Sequence, residues 1–553
     1  MFRTLVSGLN VRRPDLFTTL AVTFGFLVAG AFSGLIIAHG KPVMIALAIG
    51  AILSLVLFNV PAIAMWMVLV GSLIVTGPLL FHVPSVDKIN WLFAMLGLFL
   101  LVAAVLYGRL ARERRAGPVP PFLLMAGAFI VLGIASLAWV EGDANVALTG
   151  MKRYYQFFGL TFALGLIAFP KRTVGRWVLF FLILALIQLP YVFYQRLWLV
   201  MRLGYDMDSV VGLFEASREG HGSSGSLGFL QIIVFAGLLS ACREKLISVP
   251  MTAVLTLVVV APLFLADLNV VFVLLPTVAI IVFADLIRKR PLFFLTTASA
   301  TLVVVAVVGA GAFMWQQSTV DASQALTVEQ KLNDLIEYNF GSHGYAQRSD
   351  VNRTTVYSYW WRRHGLQDPI HLALGHGIGS TFFGENIRSP LSNQHNGISI
   401  NLTAAAQLLW ELGVVGLVLY LAMLASAWKT TRQVTAAAPS GFPKAFARTL
   451  QAGMACVVVF TFYTNTTLGI PSQEVLIAMV LGFVAWTARE YLGRPVAAAA
   501  KAAKEEPARA EPLRPAPRFG NSMARQSKTE LDETVRKLQQ SARPGHDSQR
   551  SYS

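Results

Sequence analysis

The chain has 553 residues, of which 55% are apolar and 13% charged, with a mean hydropathy of +0.60. Soluble domains carry roughly 25% charged residues, so this composition excludes an ordinary soluble enzyme and points to a polytopic membrane protein. The formal net charge of +16 then reads as loop cations beside anionic lipid, not as a nucleic-acid surface.

A membrane-crossing helix takes about 20 mostly apolar residues. Runs that approach this fall at 18–39, 42–59, 61–81, 91–108, 122–140, 157–170, 177–195, 227–242, 251–266, 268–287, 292–315, 403–428, 449–466 and 473–488. Some are short, such as 157–170, and two abut around Asp267, so the sequence predicts an all-α fold of 12–14 transmembrane helices. The first run has no processing site behind it and reads as a signal anchor. Cys242 and Cys456 both lie in apolar stretches, which argues against a disulfide framework or a metal cluster.

Cation placement sets the orientation. Arg3, Arg109, Lys171, Arg243, Arg288, Lys429, Arg448 and their neighbours fall on one side with the tail, 32 of the 45 cations in all. That side is expected to be cytoplasmic and to hold both termini. The opposite side receives 196–226, the long loop 316–402, and every histidine except His546. The chain therefore divides into a transmembrane bundle (1–315), a large external loop (316–402), C-terminal transmembrane helices (403–490) and a basic tail (491–553). The Ala/Pro/Arg-rich tail buries too little apolar surface to fold alone, apart from a short helix around 528–540.

The long loop carries the chemistry. VEQKLNDLIEYNF (328–340) reads as an amphipathic helix. Arg353, Tyr357, Trp360 and Trp361 stand at near-helical spacing, which suits a helix in the membrane interface. Anchoring alone would account for the aromatic residues, whereas the Arg353 guanidinium suits a bidentate phosphate contact. GHGIG (375–379) allows positive φ and close backbone approach; without a preceding strand or a following GK[ST] it is not a P-loop. His395, beside Asn396, sits at the mouth of an apolar run, where a neutral imidazole can take a hydroxyl proton or simply hold structure. Glu411 lies sixteen residues on, about 24 Å along a helix, too deep to be the obvious partner of His395. A carboxylate at that depth is a functional or structural-polar site by default.

Arg353 with Trp360 and Trp361, LGHGIGS (374–380), His395-Asn396 and LLWELGVVG (408–416) together resemble the O-antigen ligase and polymerase superfamily. The motifs cover about 65 residues, and the plan of many spans with one large late external loop extends the likeness to most of the chain. The resemblance implies a glycosyltransferase on the outer face of the bacterial inner membrane. It would move a glycan from undecaprenyl diphosphate to an acceptor hydroxyl by inverting attack, with no metal or other cofactor. His395 matches the family's proposed base, and Arg353 matches an arginine that grips the diphosphate. Asn396, Trp360, His376 and Glu411 fall within the matched motifs and are expected to line the substrate site. Implied partners are the lipid-linked donor, a glycan or lipid A-core acceptor, membrane lipid and a polysaccharide chain-length regulator, with no nucleic acid.

One departure stands out. The family's second arginine, in an earlier external turn, is absent from Leu265–Asn269. Arg196, Arg202 and Arg218 could replace it, with Arg218 preferred because it precedes a Gly/Ser-rich helix entry, and Asp267 could pair with such an arginine. A transporter or flippase is the alternative class, although no internal repeat is visible. An export scaffold would rest on the tail alone. The donor motifs do not separate ligase, repeat-unit polymerase and protein O-glycosyltransferase.

Overall fold

Within a bilayer, backbone N–H and C=O groups find no water and must be satisfied inside the segment, which apolar runs do by forming helices. The computed structural model obeys this rule: no strand occurs among the described residues. These are 60–83, 89–110, 119–140, 144–205, 207–215, 224–292, 351–382, 389–395 and 398–492, with isolated residues between 34 and 57 and between 311 and 341. The runs read at 18–39 and 42–59, nearly all of 292–315, most of 328–340, and the tail from 493 lie outside them.

In chain order the helices are α1 (Pro61–His82), α2 (Ile89–Leu110), α3 (Pro121–Ser136), α4 (Ala144–Tyr155), α5 (Phe158–Leu166) and α6 (Lys171–Leu203). There follow α7 (Ser224–Arg243), α8 (Val249–Leu265), α9 (Val271–Lys289), α10 (Thr355–Arg363), α11 (Pro369–Leu374) and α12 (Pro390–Gln394). The last three are α13 (Ala404–Ala437), α14 (Phe442–Tyr463) and α15 (Pro471–Leu492). Among the described residues, eight are long and apolar enough to cross a membrane: α1, α2, α6, α7, α9, α13, α14 and α15. α3 and α8 are apolar but shorter. The protein is thus an all-α, multi-pass membrane protein.

The run at 157–170 is not a span. α5 has nine residues, and Ile167 turns extended (φ −89°, ψ 138°) ahead of Pro170, which cannot continue a helix. Its freed carbonyls are not left bare: the Arg489 guanidinium donates to Gly165 O at 2.9 Å and Ile167 O at 3.1 Å, a cation at a helix C-terminus. α5 packs between α2 and α15. α15 is the axis of the bundle, with 78% of its apolar window buried, whereas α6 and α9, at 28%, present most of their surface outward.

One end of the bundle is tied by charge. Arg448 of α14 pairs with Glu244, whose carboxylate also accepts Gly441 N–H at 3.0 Å. Arg243 of α7 reaches Asp285 of α9 at 3.2 Å. In the Arg448–Glu244 pair, removing either member strands a largely buried charge. Arg448→Met is expected to cost about 2 kcal/mol, read as a lowered midpoint in thermal melts in detergent, and adding Glu244→Gln should recover most of the loss. An unchanged midpoint in the single variant would contradict the assignment.

Candidate functional site

The opposite end of the bundle is organised by a break in α13. Thr403 caps this helix, its hydroxyl accepting Ala406 N–H at 3.1 Å. At Gly413 the backbone turns to φ 65°, ψ −166°, which interrupts the regular ladder and is open to glycine at little cost. Just before the break, the Trp410 and Glu411 carbonyls accept His376 N–H and Gly377 N–H, each at 2.9 Å. The segment 375–381 is thereby laid along the helix, with positive φ at Gly375, Gly377 and Gly379. A Cβ on Gly413 would stand 2.3 Å from Ala373 O, so the two backbones meet at a distance only glycine permits.

Glu411, 1% exposed, is the clasp on this loop. Its carboxylate accepts Gly379 N–H at 2.9 Å, Thr381 N–H at 3.3 Å and the Thr381 hydroxyl. Three donors satisfy most of the lone-pair sites of a carboxylate that would otherwise be costly to bury. Ser136 of α3 holds the loop from its other side, accepting Ile378 N–H at 3.1 Å.

His395 follows the short α12, whose Ser389 hydroxyl caps Ser392 N–H at 3.1 Å. Its Nδ1 lies 2.8 Å from the Tyr359 hydroxyl of α10, and its ring stands edge-on to Trp410 at 5.0 Å. Burial pushes its pKa below the ordinary histidine value, with Arg363 and His364 adding to the effect. The imidazole is therefore neutral near pH 7, as a base must be.

Across Trp410 lies a second set of histidines. His364 Nδ1 faces Trp360 O at 3.2 Å, and His364 Nε2 faces His376 Nε2 at 2.8 Å. A carbonyl only accepts, so His364 carries its proton on Nδ1, and His376 must be the donor between the two Nε2 atoms. His371 stacks on His376 at 4.1 Å and bonds Asp368 through Nδ1 at 2.6 Å. Among the described residues, these side chains form no group of three with metal-ligating geometry.

The arginines are arranged differently from the sequence expectation. Arg353 stands in the turn before α10, not on it, because the Asn352 side chain accepts Thr354 N–H at 3.0 Å and Thr355 N–H at 2.8 Å and starts the helix there. Its guanidinium lies 4.0 Å over the Tyr463 ring at the end of α14. Arg153 of α4, which motif reading passed over, lies 4.9 Å over Phe382 and against Gly469. Its neighbour Lys152 sits 4.6 Å over Trp91. Thr381, next to Phe382, accepts from Asn401 at 3.4 Å, and Ala404 N–H bonds Thr464 O at 3.0 Å. This chain of contacts joins the surroundings of both arginines. Arg202 is exposed and stacks on Trp198 at 4.1 Å, and no contact among the described residues joins it to this group. Arg196 is buried and feels the Asp267 carboxylate. Trp360 packs with Leu391, Ile400, Leu409 and Trp410 in a small core beneath the site. Arg218 and Asn396 lie outside the described residues.

No family model matches the chain, and no curated protein matches it.

The histidine pair has a pH consequence. Burial lowers both pKa values, that of His376 to about 4, with His371 and His364 contributing. Unfolded imidazoles titrate near 6.5 (approximately), so the unfolded state binds more protons below that pH. Stability held above about pH 6.5 is therefore lost progressively as pH falls towards about 4. Melts in detergent across this window should show the fall, and His376→Asn should flatten it; the same slope in the variant would contradict the assignment.

Proposed function

We propose that the protein is a membrane glycosyltransferase that moves a glycan from an undecaprenyl-diphosphate carrier to an acceptor hydroxyl. The observation that carries this reading is a neutral, oriented His395 at the same end of the bundle as Arg353 and Arg153, the latter beside the Glu411-held loop. His395 would take the acceptor hydroxyl proton as the oxygen attacks the anomeric carbon. The bond from that carbon to the phosphate oxygen breaks, and the lipid diphosphate leaves with its electron pair. Two guanidiniums can stabilise that developing charge without a metal. In-line attack inverts the anomeric centre.

Arg153 takes the place that the sequence left open for a second phosphate contact. The cation-rich end with Arg243, Arg288 and Arg448 would face the cytoplasm, which puts His395 on the periplasmic face of the inner membrane. The acceptor is a glycan, a lipid A-core sugar or a protein hydroxyl, since donor chemistry is common to all three. A chain-length regulator would be a partner only for a repeat-unit polymerase.

His395→Ala is expected to lower transfer at least about 100-fold, and Arg353→Ala or Arg153→Ala to lower it strongly, with protein level and membrane insertion retained. The readout is the glycan profile of a deletion strain carrying each variant. Full activity in His395→Ala would refute the reading. Substrate uptake by proteoliposomes holding only this protein, without transfer, would favour a transporter instead.

A further inference from the structure

A histidine acts as a base through one nitrogen, and which one is decided by what the other nitrogen touches. Nδ1 of His395 is occupied by the Tyr359 hydroxyl at 2.8 Å, which leaves Nε2 for a substrate. A phenol can either donate to Nδ1 or accept from it. In the first case the neutral ring carries its proton on Nε2 and cannot take another there. In the second, Nδ1 holds the proton and Nε2 keeps its lone pair.

We infer that Tyr359 is a positioning residue for His395: its oxygen accepts the Nδ1 proton, fixes the basic tautomer and sets the ring plane against Trp410. Tyr359 itself is held for this purpose. It sits on α10, whose start is fixed by Asn352 and whose neighbouring Tyr357 hydroxyl bonds Thr403 at 2.8 Å. Its ring is tilted on Trp410 at 6.2 Å, and the Arg363 guanidinium lies 5.8 Å over it. Trp410 therefore touches both members of the pair, and its carbonyl is one of those that hold the 375–381 loop. The same tryptophan that borders the loop sets the distance between phenol and imidazole.

The chemical consequence is specific. When His395 takes a proton, the positive ring donates from Nδ1 to a neutral oxygen, which stabilises the imidazolium less than a carboxylate would. Arg363 and His364 face the same ring and oppose its charge. His395 is thus kept a weak base that releases its proton readily after each transfer. This role rests on the glycosyltransferase reading, whereas the tautomer itself does not.

The test pairs kinetics with a direct view of the nitrogen atoms. Tyr359→Phe keeps the ring and removes the oxygen. In the purified full-length protein, kcat is expected to fall about 10–100-fold with KM for donor and acceptor within about twofold, and the acid limb of the kcat profile should move to lower pH. Histidine-selective 15N NMR, with His395 identified by its loss in His395→Gln, should show protonated Nδ1 and unprotonated Nε2 at neutral pH. Tyr359→Phe should abolish that preference. Unchanged kcat and pH profile, or a wild-type signal with the proton on Nε2, would overturn the inference. Absence of transfer in the wild type together with a Tyr359-dependent Nδ1 proton would sink the glycosyltransferase reading and leave the tautomer standing.

Discussion

The break in α13 at Gly413 is the constraint on which the rest of this end of the molecule depends. A continuous helix would spend the Trp410 and Glu411 carbonyls on its own next turn. With the ladder interrupted, those acceptors serve His376 N–H and Gly377 N–H, and the Glu411 carboxylate takes the next donors along, at Gly379 and Thr381. The loop is thus held by main chain at one point and by a buried side chain at the next. A Cβ at Gly413 would collide with the Ala373 carbonyl, 2.3 Å away, in the helix that leads into this loop.

Three consequences follow from that single arrangement. Trp410 is fixed on one side of His395 and on the other of His364, so the two histidine groups share a wall. Phe382, carried at the end of the loop, becomes the platform for Arg153. Thr381 O receives Asn401, which steadies the entry to α13 and, through Ala404 and Thr464, the end of α14 where Tyr463 supports Arg353. A Tyr359-oriented imidazole and two aromatic-supported guanidiniums are thereby brought to one end of the bundle, and the proposed transfer from a diphosphate carrier to a hydroxyl rests on that arrangement. At the opposite end, the Arg448–Glu244 and Arg243–Asp285 pairs tie α7, α9 and α14 by charge.

The fold class was legible because apolar runs of membrane length can satisfy their backbone only as helices, and α6, α7, α9, α13, α14 and α15 stand where such runs occur. The run at 157–170 misled because hydropathy does not register a helix that stops at Ile167 with its carbonyls capped from α15. His395 and Arg353 were singled out by residue type and order, and the structure sets His395 against Tyr359 and Arg353 over Tyr463. Arg153 was not, since a cation between two apolar runs looks like any other loop cation until Phe382 and Gly469 are brought to it from more than 200 residues away. Glu411 was visible as a costly buried charge, but its partners at Gly379 and Thr381 lie earlier in the chain, and only the Gly413 break makes them adjacent. Tyr359 was hidden in the run Tyr-Ser-Tyr-Trp-Trp, where a packing role explains any aromatic ring and only the 2.8 Å contact to His395 distinguishes one of them.

Amide hydrogen exchange across 375–382 tests the Gly413–Glu411 arrangement most directly. In the wild-type protein the Gly377, Gly379 and Thr381 amides should exchange slowly, and Glu411→Ala should speed Gly379 and Thr381 while Gly377, held by a main-chain carbonyl, changes least. Fast exchange of all three in the wild type, or identical rates with and without the Glu411 carboxylate, would contradict the account.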